Sequence, residues 1–424
     1  MRVLPCLLLF TTSGAAEFRA GVAKVNLEPP PAMAMSGYAS RSGVSKGVLD
    51  PLQARVLAIS DSRRTLALVT LDLIFPFELP EMERIRAAVR GKVDEVVFHA
   101  SHTHSGPTYS TNRAAYDDAV ARVERAVLAA ASALVPARLG SGWGVAYLGH
   151  NRRHILSDGE ARMMWRNDTR VSTFPVDPTV GVIRIDRVDG SPLAVLINYA
   201  CHPVVFGPDN LDYSADYPGE MRNVVERDLG GMALFLQGAP GDINPDTDKT
   251  PIIENAVARM KDSGRILGDE AARIARRIHT EVPAKPLLAS KTVILPAVSR
   301  WDVPKLRAAL KERYRLDEAR AARLVREKMD LPVTTMVWNG EIAFVTMPGE
   351  PFVEFQMQLR AGSPVRDTFF LGYTNGSFGY FPTIAAAVRG GYGANSTSTM
   401  VEVGAGERML NIGLVSIYEL LGRL

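Results

Sequence analysis

The sequence predicts an α/β protein with a mixed central β-sheet flanked by helices, and three observations lead there. Apolar runs of strand length recur along the chain. Longer amphipathic stretches of helical period alternate with them. Hydrophobic residues make up 46% and charged residues 22% of the 424 residues, a balance that supports a large buried core. Strands that read as buried, mixed with helices, imply layers of helix packed on sheet.

Strands are expected at 66–73, 95–100, 181–185, 193–199, 232–237, 334–338, 342–347 and 368–373. Asn339-Gly340 lies between two of these runs, and that dipeptide is a strong hairpin signal. Helices are expected at 81–90, 116–133, 219–229, 253–280, 303–329 and 407–421. The stretch 303–329 is rich in Arg, Lys, Glu, Ala and Leu, and reads as an exposed helix or helical pair rather than a linker. No internal repeat, heptad or low-complexity tract stands out, and no composition shift marks a boundary. Residues 17–424 therefore read as one domain.

The first 16 residues have the form of an export signal. Arg2 supplies the charge, residues 3–10 are apolar, and Ser13, Gly14, Ala15 and Ala16 suit a signal peptidase. A secreted or periplasmic protein is expected. No later segment is long and apolar enough to span a bilayer. Cys6 would leave with the signal, so Cys201 has no disulfide partner and reads as a small buried residue. The charges nearly cancel, 49 basic against 46 acidic, which leaves no footprint for nucleic acid.

The chemistry concentrates where strands run out. His102 and His104 follow the strand 95–100 in the run Ser101-His102-Thr103-His104-Ser105-Gly106-Pro107. On extended backbone a His-x-His pair turns both rings to one side. That suits two metal ligands, or one ligand and one acid–base group. His99 lies within the strand and reads as structural. His202 follows the strand 193–199, Glu350 follows 342–347, and Tyr380 sits in a Gly-rich turn after 368–373. Loops at strand ends are where α/β proteins build sites. Catalytic zinc takes nitrogen and oxygen ligands and keeps one position for water. There is no His-Glu-x-x-His, no Gly-x-Ser-x-Gly and no phosphate-binding Gly-x-x-x-x-Gly-Lys loop, so a serine hydrolase of the common type is not expected.

These pieces, taken in order, resemble the neutral, non-lysosomal ceramidases and their short bacterial relatives. The matching segments are Ser101 to Pro107, Asn151-Arg152, Ala200-Cys201-His202-Pro203, Gln237-Gly238-Ala239-Pro240-Gly241-Asp242-Ile243-Asn244-Pro245, Pro348-Gly349-Glu350 and Gly379-Tyr380-Phe381-Pro382-Thr383. Tyr392 stands twelve residues beyond Tyr380. The resemblance implies one Zn2+ per chain, held by His102, His202, Glu350 and Tyr380. It implies that His104 faces the scissile carbonyl, that Arg152 lines the site, and that Tyr392 hydrogen-bonds the tetrahedral intermediate. The implied activity is zinc-dependent hydrolysis of an amide or ester by metal-activated water, on N-acyl sphingosine or another small-molecule or lipid substrate.

The sequence departs from the family at two points. Asn244 stands where the family carries a Ser tied to activity, and an amide cannot serve as an alkoxide. The chain also ends at its predicted helix 407–421, where ceramidases add an immunoglobulin-like domain. Three readings follow: a zinc hydrolase, a metal-binding relative whose turnover is lost through Asn244, or a partner-binding protein whose loops are structural. Arg152 and Arg153 also read as possible surface charges, and His150, His154 and His279 have no motif support.

Overall fold

The apolar runs assemble into a large eight-stranded mixed sheet and a smaller four-stranded one. The computed structural model describes residues 17–284, 287–300, 303–314, 317–324, 326–395 and 398–424. The expected export signal lies outside these. The larger sheet contains β1 (Arg19–Asn26), β2 (Gln53–Ser60), β3 (Thr65–Leu71), β4 (Glu95–Ala100), β5 (Val135–Val145), β6 (Thr179–Arg187), β7 (Pro192–Tyr199) and β8 (Met232–Gln237). Its strand order is β8-β7-β6-β5-β1-β2-β3-β4. The smaller sheet is β9 (Leu288–Val298), β10 (Lys328–Trp338), β11 (Ile342–Thr346) and β12 (Asp367–Leu371), in that order. The main helices are α1 (Leu79–Val89), α2 (Arg113–Ser132), α3 (Tyr217–Leu229), α4 (Ala256–Arg277), α5 (Val303–Tyr314), α6 (Glu318–Leu324), α7 (Val353–Gly362) and α8 (Ala405–Leu420).

One topology occurs three times. Two antiparallel pairings, β1 with β2 and β2 with β3, are followed by a crossover through α1 to β4, which lies parallel to β3. The series β5, β6, β7, α3, β8 repeats the pattern. So does β9, β10, β11, α7, β12. The repeat lives in strand pairing and leaves no periodic trace in the residues.

Side chains alternate across each strand, so each sheet offers two faces. Leu57, Ile59, Leu68, Ile183 and Leu234 of the larger sheet pack against Met336, Trp338, Phe344 and Phe369 of the smaller one. On the other face, Val56, Val69 and Phe98 meet α1 and α2, while Val182, Ile197 and Phe235 meet α3 and α4. The outer face of the smaller sheet is covered by α7 and α8. The result is helix, sheet, sheet, helix: the expected mixed sheet flanked by helices, with a second, smaller sheet packed on one of its faces.

Several expected elements change for local reasons. The strand β5 carries Gly140, Gly142 and Gly144, which hides its strand signal. The glycines are there because the end of α4 lies on the strand: a Cβ at Gly140 would stand 2.4 Å from the His279 carbonyl oxygen. The stretch 303–329 divides into α5 and α6, and its last residues already belong to β10. The predicted hairpin forms between β10 and β11, with Asn339 and Gly340 both at positive φ, as its turn requires. Among the described residues no helix is long and apolar enough to cross a membrane.

A buried ion pair ties the first unit to the second. Asp72, just past β3, accepts from Arg222 of α3 at 2.6 and 2.7 Å, and also from the Gln53 amide at 2.8 Å. Removing one partner strands the other charge in the interior, which costs about 3–5 kcal/mol. Asp72→Ala should lower the unfolding free energy by about that much in urea titration. Joint replacement by Asp72→Leu and Arg222→Met should recover most of the loss.

Candidate metal centre

The three units of the fold all send loops to the same place. His102 and His104 follow β4, His202 follows β7, and Glu350 follows β11. Asn244 follows β8, and Tyr373 and Tyr380 follow β12. All lie beyond the carboxyl ends of the parallel strand pairs.

The imidazoles and the carboxylate converge. His202 Nε2 lies 3.3 Å from Glu350 Oε2, and His102 Nε2 lies 3.7 Å from the same oxygen. His104 Nε2 is 3.1 Å from His102 Nε2. One ligand atom from each of His102, His104 and His202 falls within 4.8 Å of the others. His102 Nδ1 donates to the Ile74 carbonyl at 2.7 Å, and His202 Nδ1 donates to the Ile243 carbonyl at 3.0 Å. Those bonds fix the tautomer and leave each Nε2 lone pair facing Glu350. Two imidazoles, a carboxylate and the neighbouring Tyr380 phenol form a donor set suited to zinc.

Burial governs the protonation of this cluster. It drives the His102 pKa down to about 3, against the pull of Glu350. Burial and then Arg152 hold His202 far below the usual range. Burial, His102 and His202 do the same for His104. The rings are therefore neutral at physiological pH, the form that binds a metal. Burial and the neighbouring Glu350 carboxylate push the Tyr380 phenol well up. A divalent ion would reverse the sign of that field.

The rings do not converge for the reason expected. His102 has φ of +70°, so the His-x-His pair is not on extended backbone. The two rings meet edge to face at 4.8 Å. His104 is partly exposed, yet its Nδ1 is buried and has no hydrogen-bond partner. It packs on Gly37, where a Cβ would stand 2.6 Å from the imidazole carbons and where φ is +107°.

Arg152 and Arg153 are buried, so neither is a surface charge. The Arg152 guanidinium donates to Asn244 Oδ1 at 3.0 Å and to the Gly241 carbonyl at 2.6 Å. It also lies over the rings of Trp165, Tyr380 and Tyr392 at 5.3, 5.4 and 5.2 Å. Asn244 is fully buried, and its Nδ2 donates to Asp248 Oδ2 at 2.7 Å. The amide thus bridges a cation and an anion. Tyr392 lies at the mouth, 42% exposed, with its ring 5.3 Å from that of Tyr380. Asp242 accepts from Asn151 and from the Val353 amide, which makes it a loop brace. Cys201 is buried with its thiol pKa pushed well up by burial, which leaves it no nucleophilic character.

Sequence reasoning missed Tyr373, Trp165, Asp248 and Tyr38. Tyr38 stacks at a tilt 4.8 Å from His104 and donates to the Phe206 carbonyl at 2.7 Å. No sequence signal pointed to them: Tyr38 and Trp165 lie away from the motifs singled out, and Tyr373 and Asp248 stand beside motifs without being part of them.

No protein-family model matches the chain. A search of curated proteins finds the neutral ceramidase of Pseudomonas aeruginosa, 26% identical over 280 residues, covering 59% of this chain and 41% of that protein. It also finds neutral ceramidase A of Dictyostelium discoideum, 24% identical over 243 residues, covering 50% of this chain and 34% of that protein. The solved crystal structure of the Pseudomonas aeruginosa neutral ceramidase superposes with a TM-score of 0.76 over 97% of this chain and 75% of that one, at 18% identity. The chain is similar in sequence and in fold to the neutral ceramidases. A structure described as ceramidase complexed with C2 gives a TM-score of 0.75 at 18% identity, covering 96% of this chain and 76% of that one. The alignments span less than half the length of the curated neutral ceramidases, while the ceramidase fold extends over nearly all of this chain.

His99 offers a pH test outside the metal ligands. Its Nε2 accepts from the Gln237 amide at 2.8 Å, its Nδ1 faces Thr374 Oγ1, and burial drives its pKa down to about 3. Below its ordinary pKa, near 6.5, the unfolded chain takes a proton that the folded chain refuses. Stability from this group is complete above about pH 6.5 and is lost as pH falls towards 3. Denaturant titrations should show that loss, and His99→Gln should make the slope shallower. An unchanged slope would contradict the assignment.

Proposed function

We propose that this chain is a zinc-dependent hydrolase of an acyl amide or ester, with N-acylated long-chain amino alcohols of the ceramide type as the leading substrate class. The observation that carries the reading is the buried convergence of His102 Nε2, His202 Nε2 and Glu350 Oε2, with both imidazole tautomers fixed from behind. Tyr380, the strand partner of Glu350, completes the proposed ligand set. The neutral ceramidase relatives support the amide class.

A bound zinc ion would supply a water acidified towards neutral pH and a Lewis acid for the acyl carbonyl. The chain's own groups do the rest. His104 is neutral, stands at the mouth, and has a buried Nδ1 with no partner, so it takes a proton from the attacking water and returns it to the leaving group. Arg152 is permanently charged and fixed on two sides, and it holds the Tyr380 phenol in place. Tyr392, at the rim beside Tyr380, is the donor for the developing oxyanion.

Asn244 takes no part as a nucleophile, because its amide is engaged by Arg152 and Asp248 at both ends. That engagement favours a structural role for the residue and a water nucleophile. It also defines the second reading, a metal-binding relative without turnover.

Zinc-loaded protein should hydrolyse a fluorogenic N-acyl sphingosine or a short acyl ester. His104→Ala should lower kcat by about 10²- to 10⁴-fold with zinc content unchanged. His202→Ala should lose the zinc itself on elemental analysis. Stoichiometric zinc without turnover on any N-acyl or ester substrate would favour the second reading.

A further inference from the structure

We propose that Tyr373 is a positioning residue of the metal centre, its ring fixing His102 and its hydroxyl fixing Glu350. The inference rests on the metal-site reading above and adds a residue that no part of that reading uses.

Four observations converge on this residue. Its side chain is fully buried. Its ring stacks on His102 at 3.9 Å and 16° from parallel, whereas His104 and His202 meet that imidazole edge to face. Its hydroxyl stands 3.5 Å from His202 Nε2, beside the Glu350 carboxylate. One side chain therefore borders all three residues of the convergent set. Its backbone, finally, sits at φ of +43°, a left-handed region that a bulky side chain rarely enters.

The surrounding structure imposes that conformation. The Tyr373 amide donates to the Gly349 carbonyl at 2.9 Å, next to Glu350. Its carbonyl accepts from the Ala100 amide at 3.1 Å, two residues before His102. The backbone thus staples the two ligand loops together, and the side chain spans the same gap. A phenol has one proton, and given to the carboxylate it leaves the His202 Nε2 lone pair free for a metal. Tyr380 also lies beside Glu350. With the Tyr380 oxygen given to a bound ion, Tyr373 would be the phenol left to orient the carboxylate. Partners of this kind behind metal ligands change affinity by about 10- to 100-fold when removed.

The test compares Tyr373→Phe with wild type and Tyr373→Leu. Each protein is stripped with a chelator, and zinc affinity is measured by competition with a chromophoric chelator. Cobalt is then substituted and the visible absorption bands recorded. Phe keeps the ring and the backbone and removes one oxygen, and circular dichroism of the metal-free protein verifies its fold. The expected result is zinc binding about 10- to 100-fold weaker in Tyr373→Phe, a shifted cobalt spectrum, and a further loss in Tyr373→Leu, which also gives up the stacking. Folded Tyr373→Phe with wild-type zinc affinity and an unchanged cobalt spectrum would overturn this inference and leave the metal-site reading standing. A wild type that binds no metal would remove both.

Discussion

The site depends on one turn. Residues 372–375 leave β12 and lodge among the ends of three other strands. The Gly372 amide donates to the Gln237 carbonyl at the end of β8, the Tyr373 amide to the Gly349 carbonyl beyond β11, and the Asn375 amide to the Phe98 carbonyl in β4. The Asn375 side chain then accepts from the Phe98 amide and from Arg86, and donates to Thr334 of β10. Backbone groups buried this deeply require partners. Here satisfying them joins the two sheets at the point where the His102, His202 and Glu350 loops emerge. The ligands are registered because the backbone beneath them is bonded.

That frame explains why polar groups tolerate such burial. Three imidazoles, a carboxylate and two phenols lie in a pocket that depresses every imidazole. Each ligand imidazole is held from behind by a carbonyl. Arg152, the one fixed positive charge among them, is set between Asn244, the Gly241 carbonyl and three aromatic rings. A half-satisfied polar network would be destabilising, and a cation between the Nε2 atoms and Glu350 would complete this one.

Much of this was legible in the residues. The strands with continuous apolar runs, such as 95–100 and 232–237, were readable to the residue because burial on both faces leaves an unbroken signal. The His102, His202 and Glu350 loops were readable because each follows such a run. The second sheet was not, since nothing local states which strands pair. Nor was β5, whose glycines answer to the end of α4 far along the chain. Tyr373 escaped for the same reason: its partners are His102, His202 and Glu350, and a tyrosine in Gly372-Tyr373-Thr374 reads as ordinary packing. The motif order carried the site's membership, while its geometry came from tertiary hydrogen bonds.

The central claim is that one metal ion sits among these three loops. Crystals grown with zinc and measured across the zinc absorption edge test it most directly. The account predicts a single anomalous peak about 2.0–2.2 Å from His102 Nε2, His202 Nε2 and the Glu350 carboxylate. A peak elsewhere on the molecule, or none at that position in zinc-replete crystals, would contradict it.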